Sequence, residues 1–198
     1  MGMADIHSKR SLTVAIFAIF LIFYVSKVAV AGKLFPSLGM DPVQLGLRKE
    51  KFSHFRVYWH DNAGVSNPTT IQVAGANSTQ DSITGFGAIL VFDDALTEGS
   101  DPSSKRLGRA QGTYTLAGVD EPVALVNANI VFTIGKYNGS TLGIMGRNML
   151  VPEVRELIII GGTGLLRFAR GYVEARTHLL SIIARQVIVE YNLYVYHY

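Results

Sequence analysis

The sequence predicts an all-β domain, and three observations carry that prediction. From Lys51 onward the chain is rich in β-branched and aromatic residues, set in short runs broken by Gly, Asn, Asp and Pro. One of these runs, 168–178, alternates strictly. Ala169, Gly171, Val173, Ala175 and Thr177 fall on one side, and Arg170, Tyr172, Glu174, Arg176 and His178 on the other. Helix-period patterning is almost absent: only 179–185 reads as a helical turn, and it reads equally as the ends of two strands and their connection.

Taken in order, strands are expected over 55–60, 70–74, 88–92, 110–116, 124–133, 141–145, 154–160, 168–178 and 186–196, separated by turn-forming residues. The first has room to be shorter, and one suits an edge. A closed antiparallel barrel is favoured over a sandwich, because eight or so strands closed on themselves leave no exposed edge and enclose a lumen fit for a small ligand. Alternate residues of 55–60, 110–116 and 168–178 should line that lumen.

What precedes the barrel differs in kind. Residues 1–31 read as a signal peptide: a polar stretch ending in Lys9-Arg10, an apolar run over 12–25, and the small-residue site Ala29-Val30-Ala31. As a helix that run would reach about 21 Å, short of the roughly 30 Å hydrocarbon core, so cleavage after Ala31 with no membrane association thereafter is expected, and a retained signal anchor is the alternative. Residues 32–50 hold Pro36 and Pro42 and no sustained period, and read as an irregular arm. The domain is then 51–198.

The formal charge of +3 comes mostly from the leader, which takes three of the 18 basic and one of the 15 acidic residues with it. The 15 and 14 that are left show no basic stripe with interleaved aromatics, so nucleic acid is not an expected partner. The chain has no cysteine, which excludes disulfides and thiolate metal sites and leaves stability to core packing or oligomerisation. Two sequons, Asn77-Ser78-Thr79 and Asn138-Gly139-Ser140, stand in turn-like sequence and mark Asn77 and Asn138 as glycosylation sites of a secreted protein.

Few residues invite chemistry. Asp61, at the end of a strand in a partly apolar barrel, has the placement to exchange a proton with a bound ligand; it also reads as an Asx-turn before Asn62-Ala63-Gly64. Arg155 lies between Glu153 and Glu156 and by itself reads as a surface ion-pair residue. Tyr114 shares its side of a strand with Leu116, where it serves either a ligand ring or the core. The pair Asp93-Asp94 lacks partners at ligand spacing, so no metal is expected. The Gly161-Gly162-Thr163-Gly164 run lacks nucleotide-binding spacing and reads as a tight hairpin turn, so no cofactor is expected either. No serine sits in a nucleophile elbow, which leaves a hydrolase without support.

Several segments together resemble plant dirigent proteins. They are Tyr58-Trp59-His60-Asp61, Val91-Phe92-Asp93-Asp94-Ala95-Leu96-Thr97, Gly108-Arg109-Ala110-Gln111-Gly112-Thr113-Tyr114 and Gly139-Ser140-Thr141-Leu142. Further on come Glu153-Val154-Arg155-Glu156, Ile160-Gly161-Gly162-Thr163-Gly164, Phe168-Ala169-Arg170-Gly171-Tyr172 and Val189-Glu190-Tyr191-Asn192. The resemblance spans roughly 51–198 and implies an eight-stranded antiparallel barrel, usually a homotrimer, with a phenolic pocket at one end of each lumen. It implies that a separate laccase or peroxidase makes monolignol radicals in the apoplast and that the barrel orients them so that one lignan enantiomer forms. Other members are lyases that dehydrate an isoflavanol to close a pterocarpan ring. A homodimer and a plain carrier or cell-wall scaffold stay open beside these.

The resemblance places Asp61 and Arg155 in the pocket as the residues carrying chemistry, with Tyr114, Arg147 and Asn148 beside the substrate. It does not say which of Arg147 and Asn148 points inward. Lignan-forming members commonly have Gly-Ala-Asp where this chain has Gly146-Arg147-Asn148, and often a cysteine pair that is absent here. That triplet and the ending Tyr196-His197-Tyr198 look more like the branch with the pterocarpan-forming lyases. The stretch Ser181-Ile182-Ile183-Ala184-Arg185-Gln186 stands where relatives often have a Thr-Gly-Asp turn, which leaves the last hairpin's geometry open.

Overall fold

The computed structural model describes residues 39, 41–45, 47, 49–64 and 66–198. The expected leader and most of the arm lie outside the described residues. The chain divides after Leu45. In the first part, 42–45 form a turn that Asp41 organises, its carbonyl accepting from the Gln44 amide at 2.9 Å and its carboxylate from the Val43 amide at 2.9 Å.

The second part carries nine strands: β1 Lys51–Asn62, β2 Thr70–Ala74, β3 Ile89–Thr97, β4 Arg106–Leu116, β5 Val123–Phe132, β6 Thr141–Met149, β7 Val154–Gly162, β8 Arg170–Ser181 and β9 Gln186–His197. Every strand pair is antiparallel, in the order β1-β9-β8-β7-β6-β5-β4-β3, and β1 closes the ring onto β3 through Tyr58–Thr97, Trp59–Leu96 and His60–Ala95. Eight strands therefore make the barrel. The ninth, β2, takes over the edge of β3 where β1 leaves it, pairing Thr70 with Phe92 and Ile71 with Val91.

All nine expected strands exist, and β2 has the expected bounds. Four were read at least four residues too short: β1 runs from Lys51, β4 runs from Arg106, β6 runs on to Met149, and β3 runs through Asp93-Asp94 to Thr97. The stretch 179–185 is the second of its two readings: β8 continues to Ser181, a four-residue turn follows, and β9 begins at Gln186. Gly161 and Gly162 close β7 rather than forming a tight hairpin; the connection to β8 is seven residues long and contains a 3₁₀ turn, Gly164–Leu166. Inside β8, Gly171 has φ 149°, and a Cβ there would sit 1.9 Å from the Tyr194 carbonyl oxygen, so glycine allows β8 and β9 to meet.

The period-two alternation puts Val57 and Trp59, Ala110, Val173 and Ala175, and Tyr191, Leu193 and Val195 inside. The lumen is unevenly filled. At the end below the 133–140 and 163–169 connections, Phe55, Phe132 and Tyr137 pack ring against ring at 5.0–5.9 Å over Leu142 and Leu166. Toward the other end the inward residues shrink to Ala124, Val126, Thr177 and Val189, and the lumen is open.

Candidate functional site

The open end is a cavity of about 350 Å³. Its walls are mainly apolar and aromatic, including Trp59, Phe92, Tyr114 and Tyr191, and four polar side chains enter it: Asp61, Asn148, Arg155 and Thr177.

Asp61 reaches the cavity because β1 runs on past Trp59, so that 57, 59 and 61 share the inward side. The Asx-turn belongs to its neighbour: Asn62 Oδ1 accepts from the Gly64 amide at 3.0 Å. Asp61 Oδ2 accepts from the Tyr114 hydroxyl at 3.4 Å. Burial pushes the Asp61 carboxyl above its ordinary range, while hydrogen bonds from Thr70 and Tyr114 pull the other way. Tyr114 is itself raised, by burial first and then by the charges of Asp61 and Asp94, so its hydroxyl keeps its proton and donates.

Arg155 is not a surface ion-pair residue. Its side chain is buried with 6% exposure, Nη1 donates to Thr177 Oγ1 at 2.6 Å, and no described carboxylate lies within salt-bridge distance. Burial lowers its pKa, partly offset by Tyr191. Nε has no partner, and neither has the buried Oδ1 of Asn148. In the sheet, β6 and β7 pair only from Leu142–Gly162 to Met145–Ile158, and the last residues of β6 and the first of β7 are bonded to β5 and β8 on their far sides instead. Asn148 and Arg155 stand on the two strands where that ladder opens.

Arg147 must be corrected. One step from Asn148 in a strand, it faces out of the barrel and pairs with Glu121 at 2.7 Å, about half exposed, so it does not touch the cavity. Asn77 and Asn138 are both exposed, each at a 3₁₀ turn.

Asp93 and Asp94 separate in the same way. Asp93 faces out and pairs with Arg109. Asp94 faces in with no exposure, and its Oδ2 accepts from Trp59 Nε1 at 2.7 Å. The Thr70 hydroxyl lies 3.4 Å from both of its oxygens. Burial raises the Asp94 carboxyl to about 6.

The barrel and its cavity fall within residues 52–196, which the family model of dirigent-like protein matches. The chain belongs to the dirigent family. Dirigent protein 1 of Arabidopsis thaliana is 46% identical over 152 residues, covering 77% of this chain and 82% of the relative. Pterocarpan synthase 1 of Glycyrrhiza echinata is 41% identical over 160 residues, covering 80% and 85%. The solved structure of the pterocarpan synthase dirigent protein GePTS1 superposes with a TM-score of 0.71 at 39% identity, over 76% of this chain and 87% of that one.

Within this dirigent barrel, sequence reasoning missed Trp59, Asp94, Thr177 and Tyr191. The signal for three of them was present in the alternation. Trp59 shares parity with Asp61, Thr177 with Val173 and Ala175, and Asp94 with Phe92 and Leu96, an acid on the apolar side of its strand. Tyr191 became visible only with the register of β9 against β1, where it pairs with Val57.

Proposed function

We propose that the cavity binds a phenolic radical or quinone-methide intermediate and fixes the face on which its new bond forms. The observation that carries this reading is that Arg155 and Asn148, each with a buried polar atom that has no protein partner, both line an apolar, aromatic-walled cavity that also holds Asp61. A donor and an acceptor suit a phenol, which can accept one hydrogen bond and donate another. The aromatic walls supply the stacking surface. Nothing more than orientation is needed for stereocontrol, since about 1.4 kcal/mol of preference between faces is a tenfold selectivity. Radicals would come from a laccase or peroxidase acting separately on monolignols. On this reading the protein is secreted to the apoplast and glycosylated at Asn77 and Asn138, and it works as a homo-oligomer.

A second reading is favoured by the raised carboxyl of Asp61 and by the likeness to pterocarpan synthases. Asp61, holding a proton, would give it to the hydroxyl leaving an isoflavanol. Water departs, loss of the phenolic proton leaves a quinone methide, and an internal hydroxyl adds to close the ring. Arg155 would steady the developing phenolate. One experiment separates the two: purified protein with an isoflavanol and no oxidase, and in parallel with coniferyl alcohol and laccase, products resolved by chiral chromatography. An excess of one enantiomer only with laccase supports the first reading. Ring closure without oxidase supports the second. Racemic coupling together with no ring closure would overturn both.

A further inference from the structure

We propose that the cavity holds one ligand at a time, lying across the lumen from Arg155 and Asn148 to Asp61, so that one face of its ring is covered and the other is open at the mouth. This deepens the reading of the cavity as a phenol site and rests on it. The polar side chains that line the cavity fall into two groups. Asn148, Arg155 and Thr177 come from the neighbouring strands β6, β7 and β8, and Arg155 Nη1 donates to Thr177 at 2.6 Å. Asp61 and Tyr114 come from β1 and β4, the strands on either side of β3, and the Tyr114 hydroxyl donates to Asp61 at 3.4 Å. In a closed ring of eight strands β1 stands opposite β6 and β4 opposite β8, so the two groups face each other. Between them the cavity is lined by Val187 and Val189 on β9 and by Ala124 and Val126 on β5.

The two groups differ in chemistry, and so must the two ends of the ligand. Arg155 has a free N–H and Asn148 a free carbonyl oxygen, and a phenolic hydroxyl can accept from the one and donate to the other. Asp61 accepts from a second hydroxyl at the far end. A ligand that meets both groups takes up the width of the lumen and leaves no place for another. Beneath it lies an aromatic shelf: the Trp59 ring is 5.0 Å from both Phe92 and Tyr191, and these three stand nearer the filled end than Asp61, Leu90 and Val187 on the same strands. One ring face stacks there. The other looks out past Leu150 and Leu180, which line the cavity and are 46% and 63% exposed. A second radical therefore reaches the bound one only from the mouth, and the bond that pairs their two unpaired electrons forms on that face.

The test uses coniferyl alcohol, which carries a phenol at one end and an alcohol at the other, with no oxidase present. Two truncated probes accompany it: the analogue with a propenyl chain in place of the alcohol, and the phenol methyl ether. Calorimetric titration should count one coniferyl alcohol per chain. Quenching of Trp59, the only tryptophan in the chain, should show both truncated probes binding at least about tenfold more weakly, because each loses the hydrogen bonding of one end. Asp61→Ala should abolish the preference over the propenyl analogue and keep that over the methyl ether, and Arg155→Met should shrink the second preference and keep the first. Should either variant fail to fold, the wild-type comparison decides alone. Two ligands per chain, or a truncated probe that binds as tightly as coniferyl alcohol, would overturn the proposal and leave the phenolic reading in place. If none of the three binds, the phenolic reading falls and takes this proposal with it.

Discussion

Arg155 is a charge the barrel holds at its own expense, and Arg155→Met should therefore make the protein more stable and less able to bind. Among the described residues the guanidinium has one hydrogen bond, to Thr177, an unpartnered Nε and no carboxylate. An unsatisfied buried donor costs about 1–3 kcal/mol. Replacing buried ion pairs by apolar side chains of similar volume is often neutral or stabilising by about 1–4 kcal/mol, and a guanidinium with no carboxylate partner has still less Coulomb attraction to lose. Methionine fills most of the same space, and the Thr177 hydroxyl that loses its partner faces the open cavity, so the loss there is limited to about 1 kcal/mol. A net gain of up to about 3 kcal/mol follows, on the order of 10 °C in melting temperature at most for a domain of this length. Ligand binding moves in the opposite direction. A hydrogen bond to a charged group is worth about 1.5–3 kcal/mol, so affinity for a phenolic ligand should drop between about 10- and 150-fold. Quenching of Trp59, which lines the cavity, reads the affinity, and a thermal melt reads the stability. A lower melting temperature in Arg155→Met would refute the reasoning, because it would show that the guanidinium is part of the packing and not reserved for a ligand.

Asp61→Asn should leave the melt within about 1 kcal/mol of wild type, since Asn62 and not Asp61 caps the following turn, while cutting isoflavanol turnover by ~10²–10⁴ if Asp61 is the acid. Chiral product analysis beside the melt checks both halves, and unchanged selectivity and turnover would remove Asp61 from the site. Stability should also depend on Asp94. Its folded midpoint of about 6 lies above the ordinary 3.8, so its contribution is fully present below pH ~4 and is lost as pH rises through ~6. Relative to wild type, Asp94→Asn should gain up to about 3 kcal/mol between pH 4 and pH 7, seen in urea melts across that range, and parallel pH profiles would contradict it. Finally, intact-mass analysis of protein from a plant secretory host should show glycan on Asn77, Asn138 or both, with the chain starting near Gly32; a bare mass on an unprocessed chain would count against secretion.

The fold could be read from the sequence because it rests on period two, which a single strand displays without its neighbours. Strand β8 is the clearest case, and even there the pattern ends where the sheet departs from it. A bulge between Thr177 and Leu179 shifts the register, so that Leu180 and not Leu179 reaches the cavity. The site was harder, for a physical reason. Arg155 stands in a run of charges, Glu153 to Glu156, that looks like surface in one dimension; only the pairing of β7 with β8, Arg155 opposite Ala175, turns it inward. Asp94 was concealed by Asp93 beside it, because two adjacent acids look like a solvated turn until the strand that holds them sends one to each face.

Both misreadings have one source, which also explains where the cavity lies. A barrel interior needs apolar residues at alternate positions, and a polar residue at such a position is unfavourable unless it is partnered. At the filled end the inward positions obey that rule, with Phe55, Phe132, Leu142 and Leu193. At the open end Asp61, Asp94, Asn148 and Arg155 all break it, and they do so together, on β1, β3, β6 and β7. Asp94 is satisfied by Trp59 and Thr70, but Asn148 and Arg155 keep unpartnered atoms beside a space that no side chain occupies. Small inward residues alone, such as Ala124 and Val126, would leave a void, which is destabilising and inert. Unsatisfied polar groups alone would be a defect. Occurring at one end of one lumen, the two together fit the ligand site proposed above, in which a bound phenol would fill the volume and meet the polar side chains around it.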